Sequence, residues 1–278
     1  MGIRIVADSC CDLPEELKQD PRFVIVPLTI EVGGQRVIDD ASFDQQALLQ
    51  LIEGAQEPAR TACPSPDAYM QTFDCDADEI FVVTLSSKLS GSYNSAILGR
   101  DMYLEDHPNK KIHVVDSLSA ACGETQMALR IRDESERSKS FDEIITSIEQ
   151  YRDEMRTYFV LDNLDTLRKN GRLTGLKSLM ASTLNIKPVC ASQEGEIIQK
   201  GQGIGSRKAL VKMVEFIQKE VKNPEDKRVM ITHVNCYERA MTVMDLILAR
   251  MPFKDALVVD AAGVATTYAN DGGIVVTA

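Results

Sequence analysis

The 278-residue chain contains no tryptophan and only three histidines. Aromatic residues make up 5% of it, too few for the stacking platforms that bind single-stranded nucleic acid. Basic residues are outnumbered, 31 Lys and Arg against 42 Asp and Glu, for a net charge of −11. Such a chain repels both a phosphate backbone and an anionic lipid surface, so nucleic acid is not an expected partner. No apolar run approaches the roughly 20 residues that cross a bilayer, and no integral membrane segment is expected. The amino terminus lacks the basic, apolar, small-residue order of a secretion signal, and Gly2 lacks the Ser or Thr that myristoylation favours. A cytoplasmic location is expected.

Several chemistries are missing as well. The seven cysteines (10, 11, 63, 75, 122, 190 and 236) are odd in number and scattered, with no C-x-x-C pair. That argues against a disulfide framework and against zinc. No P-loop and no G-x-S-x-G elbow occurs, and Gly201-x-Gly203-x-Gly205 has the wrong spacing for a dinucleotide fingerprint. Asp74-Cys75-Asp76-Ala77-Asp78 starts like a calcium loop, but Glu79 replaces the required glycine and Leu85 the closing glutamate. A solvated acidic turn is expected there. Three histidines leave little for a Ser-His-Asp triad. His107 lies in a polar loop and His113 within a strand, whereas His233 ends a strand and either contacts a ligand or supports the strand end.

What remains is an ordinary globular balance, 44% apolar and 26% charged. Short apolar runs end on polar residues and alternate with helical patterns. Ile3–Ala7, Ile80–Leu85 and Lys111–Val115 read as buried strands, and Phe23–Val32 as extended. Pro14 opens a helix, Ser42-x-x-Gln45 is a capping box before Leu48, Leu49 and Ile52, and Ser65-Pro66 caps a helix over 67–73. Helices are expected over 91–104, 119–133 and 140–155. This alternation predicts a parallel sheet covered on both faces. After residue 155 the pattern changes to a strand at Tyr158–Leu161, a basic turn at Arg168–Arg172, and a hairpin joined near Glu194-Gly195. An amphipathic helix follows over about 206–221, then Val229–Thr232, a helix over 237–250 and Ala256–Val259. The expected architecture is therefore two α/β domains. Residues 1–155 form a three-layer α/β/α unit with a parallel sheet, and 156–278 a mixed-sheet α/β unit.

The stretch most suggestive of function is Thr84-Leu85-Ser86-Ser87-Lys88-Leu89-Ser90-Gly91-Ser92-Tyr93. A buried strand ends, hydroxyls crowd a loop, and a helix is expected near Ser90-Gly91. Hydroxyls and free N–H groups at that place suit an anion, and ligands of open α/β sheets bind at carboxyl ends of strands. Helix capping is the alternative use of the same serines. The strand ends Asp8-Ser9 and Asp116-Ser117 leave open a doubly wound enzyme, a phosphotransferase or hydrolase acting on a small anion.

With these residues in view, the chain resembles the DegV family of bacterial fatty-acid-binding proteins. The likeness is carried in order by Ile5-Val6-Ala7-Asp8-Ser9-Cys10-Cys11-Asp12-Leu13-Pro14, Thr61-Ala62-Cys63-Pro64-Ser65-Pro66 and Leu89-Ser90-Gly91-Ser92-Tyr93. It continues in Leu167-Arg168-Lys169-Asn170-Gly171-Arg172-Leu173 and Thr232-His233-Val234-Asn235. The resemblance implies a non-catalytic protein that holds a long-chain fatty acid between two domains without a metal or other cofactor. It also implies a possible partner, a fatty acid kinase subunit to which the acid is presented. Carried over, Thr61, Ala62, Ser90, Gly91 and Ser92 hold the carboxylate, with Arg172 and His233 near the head group or partner surface. The family's carboxylate-binding His is replaced here by Tyr268, which keeps a hydroxyl but cannot become cationic. Gly203-Ile204-Gly205-Ser206 stands where kinase-partner members carry an arginine.

Overall fold

A computed structural model describes residues 2–173 and 185–278. The first half holds β1 (Ile3–Asp8), α1 (Glu15–Lys18), β2 (Phe23–Val26), β3 (Thr29–Val32), β4 (Gln35–Ile38), α2 (Gln45–Gly54) and β5 (Arg60–Ala62). It continues with α3 (Pro66–Phe73), β6 (Glu79–Thr84), α4 (Ser92–Asp106), β7 (Lys111–Asp116), α5 (Cys122–Glu136) and α6 (Phe141–Glu154). The second half holds β8 (Thr157–Val160), α7 (Asp165–Lys169), β9 (Ile186–Gln193), β10 (Glu196–Ile204), α8 (Gly205–Glu220), β11 (Arg228–His233), α9 (Tyr237–Leu248), β12 (Asp255–Asp260), α10 (Gly263–Ala269) and β13 (Ile274–Thr277).

The N-terminal strands form a four-stranded parallel sheet in the order β2-β1-β6-β7. Their continuous apolar runs are buried because helices cover both faces. The C-terminal sheet is mixed and six-stranded, β10-β9-β8-β13-β11-β12. Its last strand in sequence, β13, lies antiparallel between β8 and β11. A small third sheet, β4-β3-β5, stands apart.

Helix α5 joins the halves. It packs against β1 and β6 on one side and β11 and β13 on the other, and every residue from Cys122 to Leu129 is buried. Its polar side chains must therefore find partners inside. Thr125 donates to the Asp12 carbonyl at 3.0 Å, and Gln126 donates to the carbonyls of Arg228 at 2.9 Å and Thr277 at 3.3 Å.

Several local expectations are met. Ser65 accepts from the Ala68 N–H at 3.2 Å, and the β9–β10 hairpin turns on Glu194 (φ 51°) and Gly195 (φ 83°), the backbone a tight hairpin needs. Others are corrected. Ser42 does not cap α2. It turns back onto Asp40 at 2.6 Å, and Asp44 accepts from the Ala47 N–H instead. The extended run Phe23–Val32 breaks at Pro27 into two strands of different sheets, since proline cannot donate to a ladder. The loop before Pro64 contains β5, and the basic turn begins inside α7, whose last residues are Arg168 and Lys169.

Candidate functional site

A cavity of about 850 Å³ of empty space, including its mouth, lies between the two large sheets. The apolar wall comes from both halves, among others Cys10, Leu28 and Leu85 from the first and Phe159, Ile197 and Val264 from the second. At one end are four polar residues: Thr61, Ser90, Arg172 and Tyr268.

Thr61 is in contact with Tyr268 and Tyr268 with Arg172, and Ser90 follows Leu89, whose carbonyl Arg172 holds. Thr61 Oγ1 and Tyr268 Oη are 2.9 Å apart; two hydroxyls sharing one hydrogen bond leave one proton free to donate. Ser90 Oγ accepts from the Ser92 N–H at 3.2 Å, so its own proton is also available. The Arg172 guanidinium lies 5.7 Å from the centre of the Tyr268 ring, a cation–π distance. It donates to the carbonyls of Leu89 at 3.2 Å and Asn170 at 2.6 Å, which fix its plane. Among the described residues Nη2 has no hydrogen-bond partner. One cation and several donors around a small volume suit a carboxylate.

The scaffold beneath this set is made by buried acids. Asp8 accepts from the N–H groups of Cys10 at 3.1 Å and Leu85 at 3.0 Å, and from the Ser92 hydroxyl at 2.6 Å. Ser92 also meets Tyr69 Oη at 2.6 Å. The loop that carries Ser90 is thus tied to the end of β1. Helix α10, which carries Tyr268, is tied at its start. Asp39 accepts from the N–H groups of Gly263 at 2.7 Å and Val264 at 2.9 Å, and Asp12 from that of Ala262 at 2.7 Å. A Cβ on Gly263 would lie 2.6 Å from Asp39 Oδ1, so only glycine lets the carboxylate close in. Burial raises the pKa of Asp39 to about 6 and of Asp12 to about 7.

The remaining expected site residues fall elsewhere. Ser92 turns inward to Asp8 and Tyr69 and does not face the cavity; its N–H serves by orienting Ser90. Gly91 and Ala62 are exposed, outside the cavity wall. They belong to a seam in which a Cβ on Gly91 would meet Cys63 Sγ at 3.2 Å, and this seam brings the β5 end against the start of α4. His233 is buried behind the sheet edge, its Nδ1 accepting from the Cys236 N–H at 3.4 Å and its Nε2 3.4 Å from Asp260. It supports a strand end and does not line the cavity, and burial lowers its pKa. The two strand-end aspartates are not poised for catalysis. Asp8 is fully buried and committed to its three donors, and Asp116 accepts from the N–H groups of Ser87 and Leu118, each at 3.1 Å. Among the described residues no group of His, Cys, Asp and Glu is arranged to hold a metal ion, and no helix is long and apolar enough to cross a membrane.

An α/β molecule whose two large sheets enclose a mostly apolar cavity, with a guanidinium and hydroxyls grouped at one end, has the build of a binding protein for an amphipathic anion. The DegV family model matches residues 2–278, and the chain belongs to that family. A DegV protein of Ruminococcus gnavus, solved with vaccenic acid, is 46% identical over 99% of each chain with a TM-score of 0.97. A DegV protein of Eubacterium eligens loaded with heptadecanoic acid is 33% identical over 99% of each chain, TM-score 0.91. The fatty acid kinase (Fak) B3 protein of Streptococcus pneumoniae, loaded with linoleic acid, is 34% identical over 100% of this chain and 99% of that one, TM-score 0.91. A DegV domain-containing protein of the same species is 37% identical over 281 aligned residues, 99% of this chain and 98% of its own.

Proposed function

We propose that this protein binds one long-chain fatty acid in the cavity between its halves and carries it without altering it. The boundary between the halves is set near residue 155. The observation that carries this reading is a cavity walled mostly by apolar side chains, with Thr61, Ser90, Tyr268 and Arg172 grouped at one end. A carboxylate there accepts hydrogen bonds from the hydroxyls and from Arg172, while each methylene placed along the apolar wall contributes about 0.8 kcal/mol. Tyr268 takes the place of the family histidine as a neutral donor, and Arg172 supplies the positive charge. The fatty acids held by the Ruminococcus and Eubacterium relatives support the ligand class. A cytoplasmic carrier that presents its acid to a fatty acid kinase subunit is the biological setting we infer, supported by the name of the pneumococcal relative.

The test is mass spectrometry of the purified protein under native conditions, followed by delipidation and titration with palmitate and oleate. A copurified acyl ligand and saturable one-to-one binding are expected. A lipid-free protein that binds neither acid overturns the reading.

A further inference from the structure

The polar residues of the cavity wall do not all lie at the head end. Ser119, Thr157 and Ser192 also line it, and they form a second group at the opposite end. Strand β8 presents Thr157 and Phe159 to the cavity in alternation, continued just past its end by Leu161, which leads into the segment that carries Arg172. Leu161 is four residue steps from Thr157, about 13 Å at the usual rise of extended chain. Ser192 lies beside Thr157, one step past the Tyr158–Ala191 pair. The same Thr157 and Ser192 also line a separate polar cavity containing Arg152, Arg156 and Lys200. The acyl tunnel therefore ends on hydroxyls backed by a polar space.

These hydroxyls are built in. Ser119 Oγ and Thr157 Oγ1 are 2.7 Å apart, and Ser192 Oγ donates to the Leu118 carbonyl at 2.7 Å. As at the head end, two hydroxyls share one bond and leave one proton unassigned. Gly123 makes room for this pair, since a Cβ there would lie 2.0 Å from Ser119 Oγ. The loop that holds Ser119 has Leu118 at φ 50° and Ala121 at φ 58°, a conformation that side-chain-bearing residues adopt only when the surroundings impose it.

We propose that Ser119, Thr157 and Ser192 form a second polar subsite that accepts a hydroxyl at the far end of the acyl chain, so that the protein takes omega-hydroxy fatty acids as well as plain ones. This rests on the fatty-acid reading above. A hydroxyl buried against hydrocarbon lacks a partner and binds poorly; against this gate it accepts the free proton and donates to a neighbouring oxygen.

The test compares each plain acid from laurate to stearate with its omega-hydroxy counterpart on delipidated protein, wild type and Thr157→Val. At the chain length that reaches the gate, the wild type is expected to bind the hydroxy acid within about fivefold of the plain acid, or tighter. Thr157→Val is expected to weaken the hydroxy acid about tenfold against the plain one, a ratio taken on one folded sample. Should Thr157→Val fail to fold, Ser192→Ala is the second variant, with a smaller change expected in the same direction. Discrimination against the hydroxy acid by more than about fivefold at every length overturns the subsite alone, as does an unchanged ratio in the folded variant. Failure of the wild type to bind any plain or hydroxy acid overturns the fatty-acid reading with it.

Discussion

Glu124 lies in the first turn of α5, fully buried, with neither carboxylate oxygen hydrogen-bonded to a donor among the described residues. Its neighbours are the equally buried Asp8 and the Cys10 thiol, and burial, reinforced by the Asp8 charge, raises its pKa well above the ordinary range. Two adjacent buried carboxyls without a cation hold at least one proton between them. An acid that stays neutral in the fold but ionises in the unfolded chain stabilises most at low pH, and this contribution is lost as pH rises from the ordinary carboxylate range toward the folded pKa. The loss is about 1.4 kcal/mol per pH unit for one proton, so at most about 4 kcal/mol between pH 5 and 8. Glu124→Gln keeps the shape and removes the titration. Unfolding of delipidated wild type and variant at pH 5, 6, 7 and 8 is expected to give similar stabilities at pH 5. By pH 8 the variant gains on the wild type, by at most the roughly 4 kcal/mol that one proton allows over this range. A gap between the two that is constant across pH, or that moves in favour of the wild type as pH rises, refutes the neutral pair.

Ser90→Ala and Tyr268→Phe are each expected to weaken palmitate binding by about 1–3 kcal/mol, because each removes a donor to a charged, partly desolvated group; titration calorimetry reads it, and an unchanged affinity removes that residue from the head site. Arg172→Gln is expected to weaken binding more than either, and to reduce the effect of added salt, because it deletes a cation at the cavity's head end; an unaltered salt dependence contradicts this. Gly263→Ala places a methyl 2.6 Å from Asp39 Oδ1 and 2.7 Å from Ile30 Cδ1, so it is expected to lower stability by about 1–3 kcal/mol and loosen the helix that carries Tyr268. Thermal unfolding of the delipidated variant checks it, and a melting temperature equal to wild type refutes the close approach.

The strands and most helices were legible because their signals are local. Ile80–Leu85 is apolar throughout, Ser65-Pro66 caps and starts a helix, and Leu210, Met213, Val214 and Ile217 mark one buried face of α8. What escaped was set by distant partners. Nothing in Gln35–Ile38 or Arg60–Ala62 separates a short strand from a loop until β3 offers its free edges. Ile274–Thr277 becomes a central strand only because β8 and β11 leave a gap that its backbone fills. The Ser42 capping box failed because Asp44, two residues on, offers a carboxylate to the same helix start.

The site divided along the same line. Ser90, Thr61 and Arg172 were proposed from motifs, and Tyr268 from its departure from the family pattern; all four line the cavity. Ala62, Gly91, Ser92 and His233 stood in equally suggestive sequence but face elsewhere, because a motif fixes the path of the backbone and not the direction of each side chain. Ser92 is the clearest case: its neighbour Ser90 needs a fixed orientation, and a buried hydroxyl bonded to Asp8 supplies it through the backbone. The acids beneath the site were hidden for a stronger reason. In sequence Glu124 is an ordinary first-turn glutamate on a helix of mixed polarity, the kind that elsewhere faces solvent. It becomes a buried group with a raised pKa only because α5 lies between two sheets and has no solvent face near its start. A helix in that position must place its polar residues against something. Here they fall against the roots of the loops that hold the cavity, so the acids that tie those loops in place are themselves desolvated and tied to pH.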